Sequence, residues 1–502
     1  MSLARSFALA LSVAALAACG GAVPASYGPE KVDIPVRDTT KGPKKPGGAA
    51  AKQTPPAPLA SRESPFPAVK RAKLPTGMDL AVVRAGSLPV VQVRLVVKAG
   101  ANYGAPGAGA ITASLLKDGG TKSMTSAQLL SRLETLGASL GVSTDFDKAT
   151  FSLAVVKDKL PEALAVLAEM IAAPRFDEGE LKKLKARMSD EADEAAKSNG
   201  TWMAMRVAFR ELYADKSPYA TYELLPSEIA KVDGKAVRDF YKAFYVPKNT
   251  ELVLVGDVDA DGAEALAKKH FGAFAGGDPP KVEFPAQIAP AKRRVLVVDR
   301  PKSVQSDVFV VSLAPERSTP AWADLRVANQ VLGGGVASRL FMDVREQRSL
   351  AYSTRSQIVE LAHGAQPLVC YAGTQTPKTA DAVQGLIDNL GKMAAGPVLD
   401  AEVLSARRYL SDIFAVRMET IGSIADLVVM ADALGLGDGY WDKYREAVRS
   451  VDVAHAQAAS KTLFVPDKSL VVVAGDAAVI APVLARFGEV VVLDPAKNFA
   501  AR

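Results

Sequence analysis

The segment FYVPKNTELVLVGDV, starting at Phe244, returns as LFVPDKSLVVVAGDA, starting at Leu463. At one constant offset Val246 aligns with Val465, Pro247 with Pro466, Gly256 with Gly475 and Asp257 with Asp476. LAKKHFG (Leu266 to Gly272) is echoed by LARFG (Leu484 to Gly488), and VVQVRLVVKAG (Val90 to Gly100) by SDVFVVSLA (Ser306 to Ala314). A period of roughly two hundred residues is too long for a solenoid, whose repeats run to about 50. It predicts two copies of one domain, spanning 69–283 and 290–498. A chain of 502 residues, 49% of them apolar, has enough material for more than one core.

Inside each copy strands and helices come in alternating blocks. LAVVRA, VQVRLVVKAG and ATFSLAVV read as strands from their alternation and β-branched content. TSAQLLSRLETLGASL reads as an amphipathic helix, with a capping box from Thr125 and Gln128 and a stripe of Leu129, Leu133, Leu136 and Leu140. LPEALAVLAEMIAAP and DEGELKKLKARMSDEADEAAKS add two more helices. The expected class is α+β: two homologous domains, each a mostly antiparallel sheet covered by helices.

The first residues carry an address. Arg5 precedes an apolar run from Phe7 to Ala18, too short to span a bilayer comfortably but suited to a secretory signal. Leu16-Ala17-Ala18-Cys19 resembles a bacterial lipoprotein box, which implies a signal peptide over 1–18 and a lipid on Cys19. Gly20 and Gly21 follow, with no aspartate beside the cysteine. By resemblance to sorted lipoproteins, that implies the outer membrane of a Gram-negative-type envelope, facing the periplasm. Residues 19–68, rich in Pro, Gly and Lys, read as a flexible tether. The net charge of +6 sits partly in this linker, so nucleic acid is not an expected partner. Cys370 lies in the apolar run PLVCYAG, and with Cys19 acylated no disulfide framework is expected.

The second copy holds GGGVASRLFMDVREQRSLAY, residues 333 to 352. Gly333, Gly334 and Gly335 permit a close approach to backbone. Arg345 supplies a permanently charged fork of donors and Tyr352 a short, rigid hydroxyl. Aimed at a peptide carbonyl, the two would orient it and stabilise an oxyanion. The glycine turn, Ser338-Arg339-Leu340 and an arginine seven residues before a tyrosine resemble the second domain of the M16 peptidases, the pitrilysin and mitochondrial processing peptidase type. The resemblance covers nearly everything after the linker and implies an M16 metallopeptidase-like (LuxS/MPP-like) fold. It also implies substrate contacts for Arg345 and Tyr352, facing a zinc held by a first domain, with the substrate peptide passing close to the backbone of Gly333, Gly334 and Gly335.

That first domain lacks the motif. A zinc peptidase of this type needs His-x-x-Glu-His on its first helix, two histidines one turn apart to bind the metal and a glutamate to activate water. The matching place is GAGAITASLLKDGGT, residues 107 to 121. In one register the positions fall on Ala110, Ala113 and Ser114, in the other on Ile111, Ser114 and Leu115. The three histidines are scattered: His270 reads as a cation ending a helix, His363 as part of a turn, and His455 as a helical residue. Glu191 and Glu194 lie roughly where a downstream glutamate ligand would be, and read as a solvated helix face. Neither G-x-S-x-G in context nor a phosphate-binding loop is present, and the Gly-Asp turn of VGDVDADG (Val255 to Gly262) ends a strand without making a calcium loop.

These readings assign no catalytic residue, metal or cofactor to the chain itself. The expected function is a catalytically incomplete M16-type subunit, inactive alone, that binds extended peptides. Its expected partner is a zinc-bearing M16 subunit in a heterodimer. The alternative is a non-enzymatic peptide-binding or scaffold lipoprotein, acting alone or as a homodimer.

Overall fold

The β-branched stretches pair into two sheets in a computed structural model, which describes residues 64–502. The expected signal peptide over 1–18, the lipidated Cys19 and the tether up to residue 63 lie outside the described residues. The last five residues expected in the tether, 64–68, are not free. The Phe66 amide donates to Asp442 Oδ1 at 3.1 Å, its ring centroid lies 6.4 Å from that of Phe414, and Arg445 donates to the Ser64 carbonyl. One aromatic ring in PFP is enough to dock the segment, because burying it outweighs the entropy of ordering a few residues.

The first sheet contains β1 (Lys70–Lys73), β2 (Asp79–Arg84), β3 (Val90–Val97), β4 (Ser139–Thr144), β5 (Ala149–Val156) and β6 (Thr250–Gly256), in the order β1-β2-β6-β3-β5-β4. The second contains β7 (Arg294–Asp299), β8 (Gln305–Glu316), β9 (Ala351–Ile358), β10 (Ala365–Gln375), β11 (Leu470–Gly475), β12 (Val490–Asp494) and β13 (Ala500–Ala501), in the order β13-β12-β7-β11-β8-β10-β9. Pairing is antiparallel except for β2 with β6 and for β7 with β11 and β12. Leu254 faces Val93 in the first sheet as Val473 faces Val308 in the second, so the repeated segments occupy matching places. β6 and β11 are buried at every position, which is why they read as unbroken apolar runs. The Thr125–Gln128 capping box is formed, but the helix stops at Thr135 and Gly137 takes φ +64. Leu140 therefore belongs to β4 and not to the helical stripe.

One face of each sheet is covered by helices of its own half. The other face is covered by a helix from the opposite half. Helix Ile421–Ala433 lays Ile424, Ala425, Val428 and Val429 on Ala81, Val83, Val96, Val253 and Val255 of the first sheet. Helix Gly200–Leu212 lays Ala204, Ala208 and Leu212 on Leu296, Val298, Phe309 and Val472 of the second. Polar clamps set the two helices. Thr201 Oγ1 donates to Asp307 Oδ1 at 3.2 Å, and a Cβ on Gly200 would lie 2.2 Å from Asp307 Oδ2. On the other side Arg94 donates through Nε to Asp426 at 2.9 Å and through Nη2 to the Gly422 carbonyl at 3.4 Å. Each buried apolar side chain stabilises by about 1.5–3 kcal/mol and each such hydrogen bond by about 1. Packing thus supplies the strength and the clamps fix the register.

A buried carboxyl sits where Ile421–Ala433 meets the first sheet. Glu251 on β6 is 2% exposed, and Arg71 Nη1 lies 3.5 Å from its Oε1 while Nη2 pairs with Asp432 at 2.8 Å. Burial first, and then the neighbouring Asp432 carboxyl, push the Glu251 carboxyl up to about 8. A raised acid binds its proton more tightly in the folded state, so stability falls as pH rises from the ordinary carboxylate range through about 8. Glu251→Gln is expected to match the wild type near pH 5 and to exceed it by about 2 kcal/mol near pH 8.5, in urea denaturation at both pH values.

Candidate functional site

β9 forms one edge of the second sheet, and among the described residues it pairs only with β10. Helix Trp322–Gly333 lies against it and leads through the glycine turn into a π-helical stretch, Phe341–Gln347. π-helix is rare and recurs at functional sites. Here it sets Arg345 over Phe341, with the guanidinium carbon 4.5 Å from the Phe341 ring centroid and 5.2 Å from that of Tyr352. The cation is thus held between two aromatic faces, which narrows its rotamer freedom without hiding it. Arg345 Nε lies 3.4 Å from Glu346 Oε1, and the Tyr352 side chain stands out from the strand. Tyr352 is 85% exposed, which is unusual for a tyrosine on a strand. The two residues singled out in the sequence therefore converge, at one rim of a cavity of about 530 Å³ that Lys378 and Tyr371 also line.

Two of the three glycines lie against the chain's own atoms. A Cβ on Gly333 would lie 2.4 Å from the Ser356 amide of β9, and one on Gly334 would lie 2.1 Å from Gln330 Oε1. The close approach is the chain's own helix against its own edge strand. Only Gly335 is exposed, with nothing nearer than Gln330 Nε2 at 3.4 Å. Ser338-Arg339-Leu340 is likewise a brace: Arg339 makes a two-pronged contact with Glu402 at 2.8 and 2.7 Å and donates to the Pro397 carbonyl, while Leu340 is fully buried. Both features hold Phe341–Gln347, and with it Arg345, in place.

The motif positions of the first half lie on helix Ala108–Asp118. Ile111, Ala113 and Leu115 are buried in the core, while Ala110 and Ser114, one turn apart, are half-exposed on one side. Ala110 lines a cavity of about 500 Å³ together with Glu191 from helix Glu178–Ser198. Glu191 thus comes next to the altered motif, where the downstream glutamate is expected, and its side chain is exposed, in keeping with a solvated helix face. Two methyl groups and one hydroxyl do not fit a zinc ion, which needs imidazole, thiolate or carboxylate donors. Among the described residues no three of His, Cys, Asp and Glu converge as a ligand set.

The histidines have local roles. His363 stacks on Phe284 with centroids 4.0 Å apart, and His455 Nδ1 lies 2.8 Å from Asp452 Oδ1. His270 corrects its reading as a helix-end cation. Its Nε2 is buried without a hydrogen-bond partner among the described residues, and burial, aided by Lys269, pushes the imidazole down toward the neutral form. Cys370 is fully buried on β10, and burial pushes its thiol up to about 12, away from nucleophile chemistry.

Sequence reasoning missed Asp147, in the turn between β4 and β5. It accepts from the Ala362 amide at 3.0 Å, from Tyr103 Oη at 3.3 Å and from Tyr219 Oη. Burial pushes this carboxyl up despite those donors. The contact ties the β4–β5 turn of one half to the β9–β10 turn of the other, and so fixes the two edge strands with respect to each other.

A family model described as insulinase (peptidase family M16) matches residues 81–216, and one described as the peptidase M16 inactive domain matches residues 231–410. The chain belongs to the M16 peptidase family. A Mycobacterium leprae protein named as an uncharacterized zinc protease is 24% identical over 65% of this chain and 72% of its own length. The non-peptidase homolog YmxG of Helicobacter pylori is 27% identical over 61% of this M16 chain and 69% of its own length. Among solved structures, a peptidase M16 inactive domain from Pseudomonas fluorescens superposes with a TM-score of 0.75 at 24% identity, covering 81% of this chain and 98% of that one. A protease from Helicobacter pylori gives 0.74 at 20% identity, covering 81% and 99%. These likenesses establish the two-domain α+β fold for this M16 chain.

The brace under Arg345 is open to test. Gly333→Ala sets a methyl against backbone that is itself paired in the sheet, so the neighbour has little room to give. The variant is expected to lose about 1–3 kcal/mol in chemical denaturation. It is also expected to quench the near-ultraviolet circular dichroism that Tyr352 and Phe341 contribute.

Proposed function

We propose that this chain is the non-catalytic member of a two-chain M16 peptidase, held at a bacterial envelope through Cys19. The observation that carries the reading is the pairing of half-exposed Arg345 with exposed Tyr352, held close by π-helix and an edge strand, in a chain whose described residues hold no metal-ligand cluster. Donors displayed in this way have work to do only on a group that arrives from outside. In the proposed assembly the partner carries the zinc and the water-activating glutamate. This chain contributes the guanidinium and the hydroxyl, which orient a peptide carbonyl and stabilise the negative charge that develops on it. The edges of β4 and β9, unpaired among the described residues, are suited to an extended peptide, since strand addition draws affinity from main-chain hydrogen bonds.

The second reading, a peptide-binding or scaffold lipoprotein acting alone or as a homodimer, is favoured by the similarity to a Helicobacter protein named as a non-peptidase homolog. A pull-down of C-terminally tagged mature protein from its detergent-solubilised envelope separates the two. Recovery of an M16 chain bearing His-x-x-Glu-His, with chelator-sensitive peptide cleavage, is the expected result; a homomer without cleavage overturns it in favour of the second reading. In the recovered pair, Arg345→Ala is expected to lower kcat/KM about 100-fold and Tyr352→Phe about 10-fold, as for the loss of one oxyanion donor.

A further inference from the structure

A further cavity, of about 420 Å³, opens where the end of β8, the β9–β10 turn and helix Tyr440–Ser450 meet. It shares no lining residue with the cavity beside Tyr352. Arg317, in its wall, is only 7% exposed. The guanidinium carbon lies 4.4 Å from the Trp322 ring centroid and 5.0 Å from that of Tyr440. Nε donates to Glu360 Oε2 at 2.7 Å and Nη2 to Tyr440 Oη, while Nη1 has no acceptor among the described residues. Glu360 cannot balance the charge by itself, because Arg326 Nη1 lies 3.3 Å from its other oxygen, Oε1. One carboxylate thus answers two guanidiniums, and neither arginine has a second ion-pair partner among the described residues. Lys443 lines the same cavity and adds a third cation. Glu316, the one acid among the lining residues, is exposed and accepts from Ser318 Oγ at 3.4 Å. A buried cation short of counter-charge is costly, so its place in a cavity wall points to an anion that the chain does not supply.

We infer that this cavity binds a carboxylate borne on a flat apolar group, either the C-terminal aromatic residue of a peptide or a free aromatic acid of the same shape. Three features select that occupant. Trp322 and Tyr440 hold the Arg317 fork between them, so its unused edge is presented already ordered. A carboxylate can accept from that edge and from Lys443 in charge-assisted hydrogen bonds. Tyr444 and Leu436 make the adjoining wall aromatic and apolar, which suits a ring and offers nothing to a fully hydrated ion. A neutral amide of the same shape would leave the excess positive charge unanswered, and that is the basis of selectivity.

N-acetyl-phenylalanine is titrated into the full-length protein by isothermal titration calorimetry, beside its neutral amide, N-acetyl-phenylalaninamide, and acetate, which has the charge without the ring. The acid is expected to bind about tenfold more tightly than either. Arg317→Gln is expected to abolish the preference for acid over amide. Because Arg317 also braces Glu360, two milder variants on the exposed side of helix Tyr440–Ser450 keep the test independent of folding. Lys443→Gln is expected to weaken the acid several-fold and to leave the amide unchanged. A plug, Ala447→Phe, is expected to weaken the acid with both cations in place. A hexapeptide ending in phenylalanine separates the two sources: binding tighter than that of the free acid assigns the site to peptide C-termini, and weaker binding assigns it to free acids. Equal affinity for acid and amide overturns the inference, as does binding of neither the acid nor the peptide. Acetate bound as tightly as the acid overturns its apolar half.

Discussion

The structure depends on two helices that leave their own half. Neither sheet can cover its second face from its own sequence, and each receives what it lacks from the opposite copy. Ile424, Ala425, Val428 and Val429 close the first sheet, and Ala204, Ala208 and Leu212 close the second. With several fully buried apolar side chains on each side, this reciprocal contact outweighs any single polar link between the halves. It also places the β4–β5 turn beside the β9–β10 turn, where Asp147 accepts the Ala362 amide. The relation between the two edge strands, and hence between the cavity beside Ala110 and the Arg345–Tyr352 pair, follows from that arrangement.

Much of this was legible in the sequence. The repeat announces two copies, and unbroken runs such as TELVLVG and LVVVAG identify strands covered on both faces. The missing histidines are a plain matter of composition. Exchange of helices is different in kind. GTWMAMRVAFREL and IGSIADLVVMADA each show an apolar stripe, but a stripe gives no indication of which sheet it meets. The same limit applies to Leu140, which continues a helical stripe in spacing and is taken from it by Gly137 at φ +64.

The site shows the same division. Residue types and spacing pick out Arg345 and Tyr352, because forked donors and a phenol in that order resemble the family pattern. They do not reveal that a π-helical turn inserts Arg345 between two rings, or that Gly333 is small for the sake of Ser356. Glu191 is placed by sequence near the motif, and the fold supplies the neighbour, Ala110, with which it lines one cavity. His270 reads as a cation until its surroundings are known. In each case the sequence states what a side chain can do, and the neighbours decide whether it does so.

The exchanged helices also bear on how the two halves came to differ. A contact in which each copy gives the other the same element is isologous, the geometry of a two-fold dimer, and this chain holds such a dimer within one polypeptide. In a true homodimer every substitution appears twice, so a change that suits one side of the axis is imposed on the other. Joining the copies removes that obligation. Arg94 grips its visiting helix by donating to a carboxylate and a carbonyl, whereas Asp307 grips the other by accepting. The buried Glu251 of β6 has an ordinary Leu470 at the matching place in β11. The joined chain keeps the strength of a symmetric interface while its two ends are free to specialise.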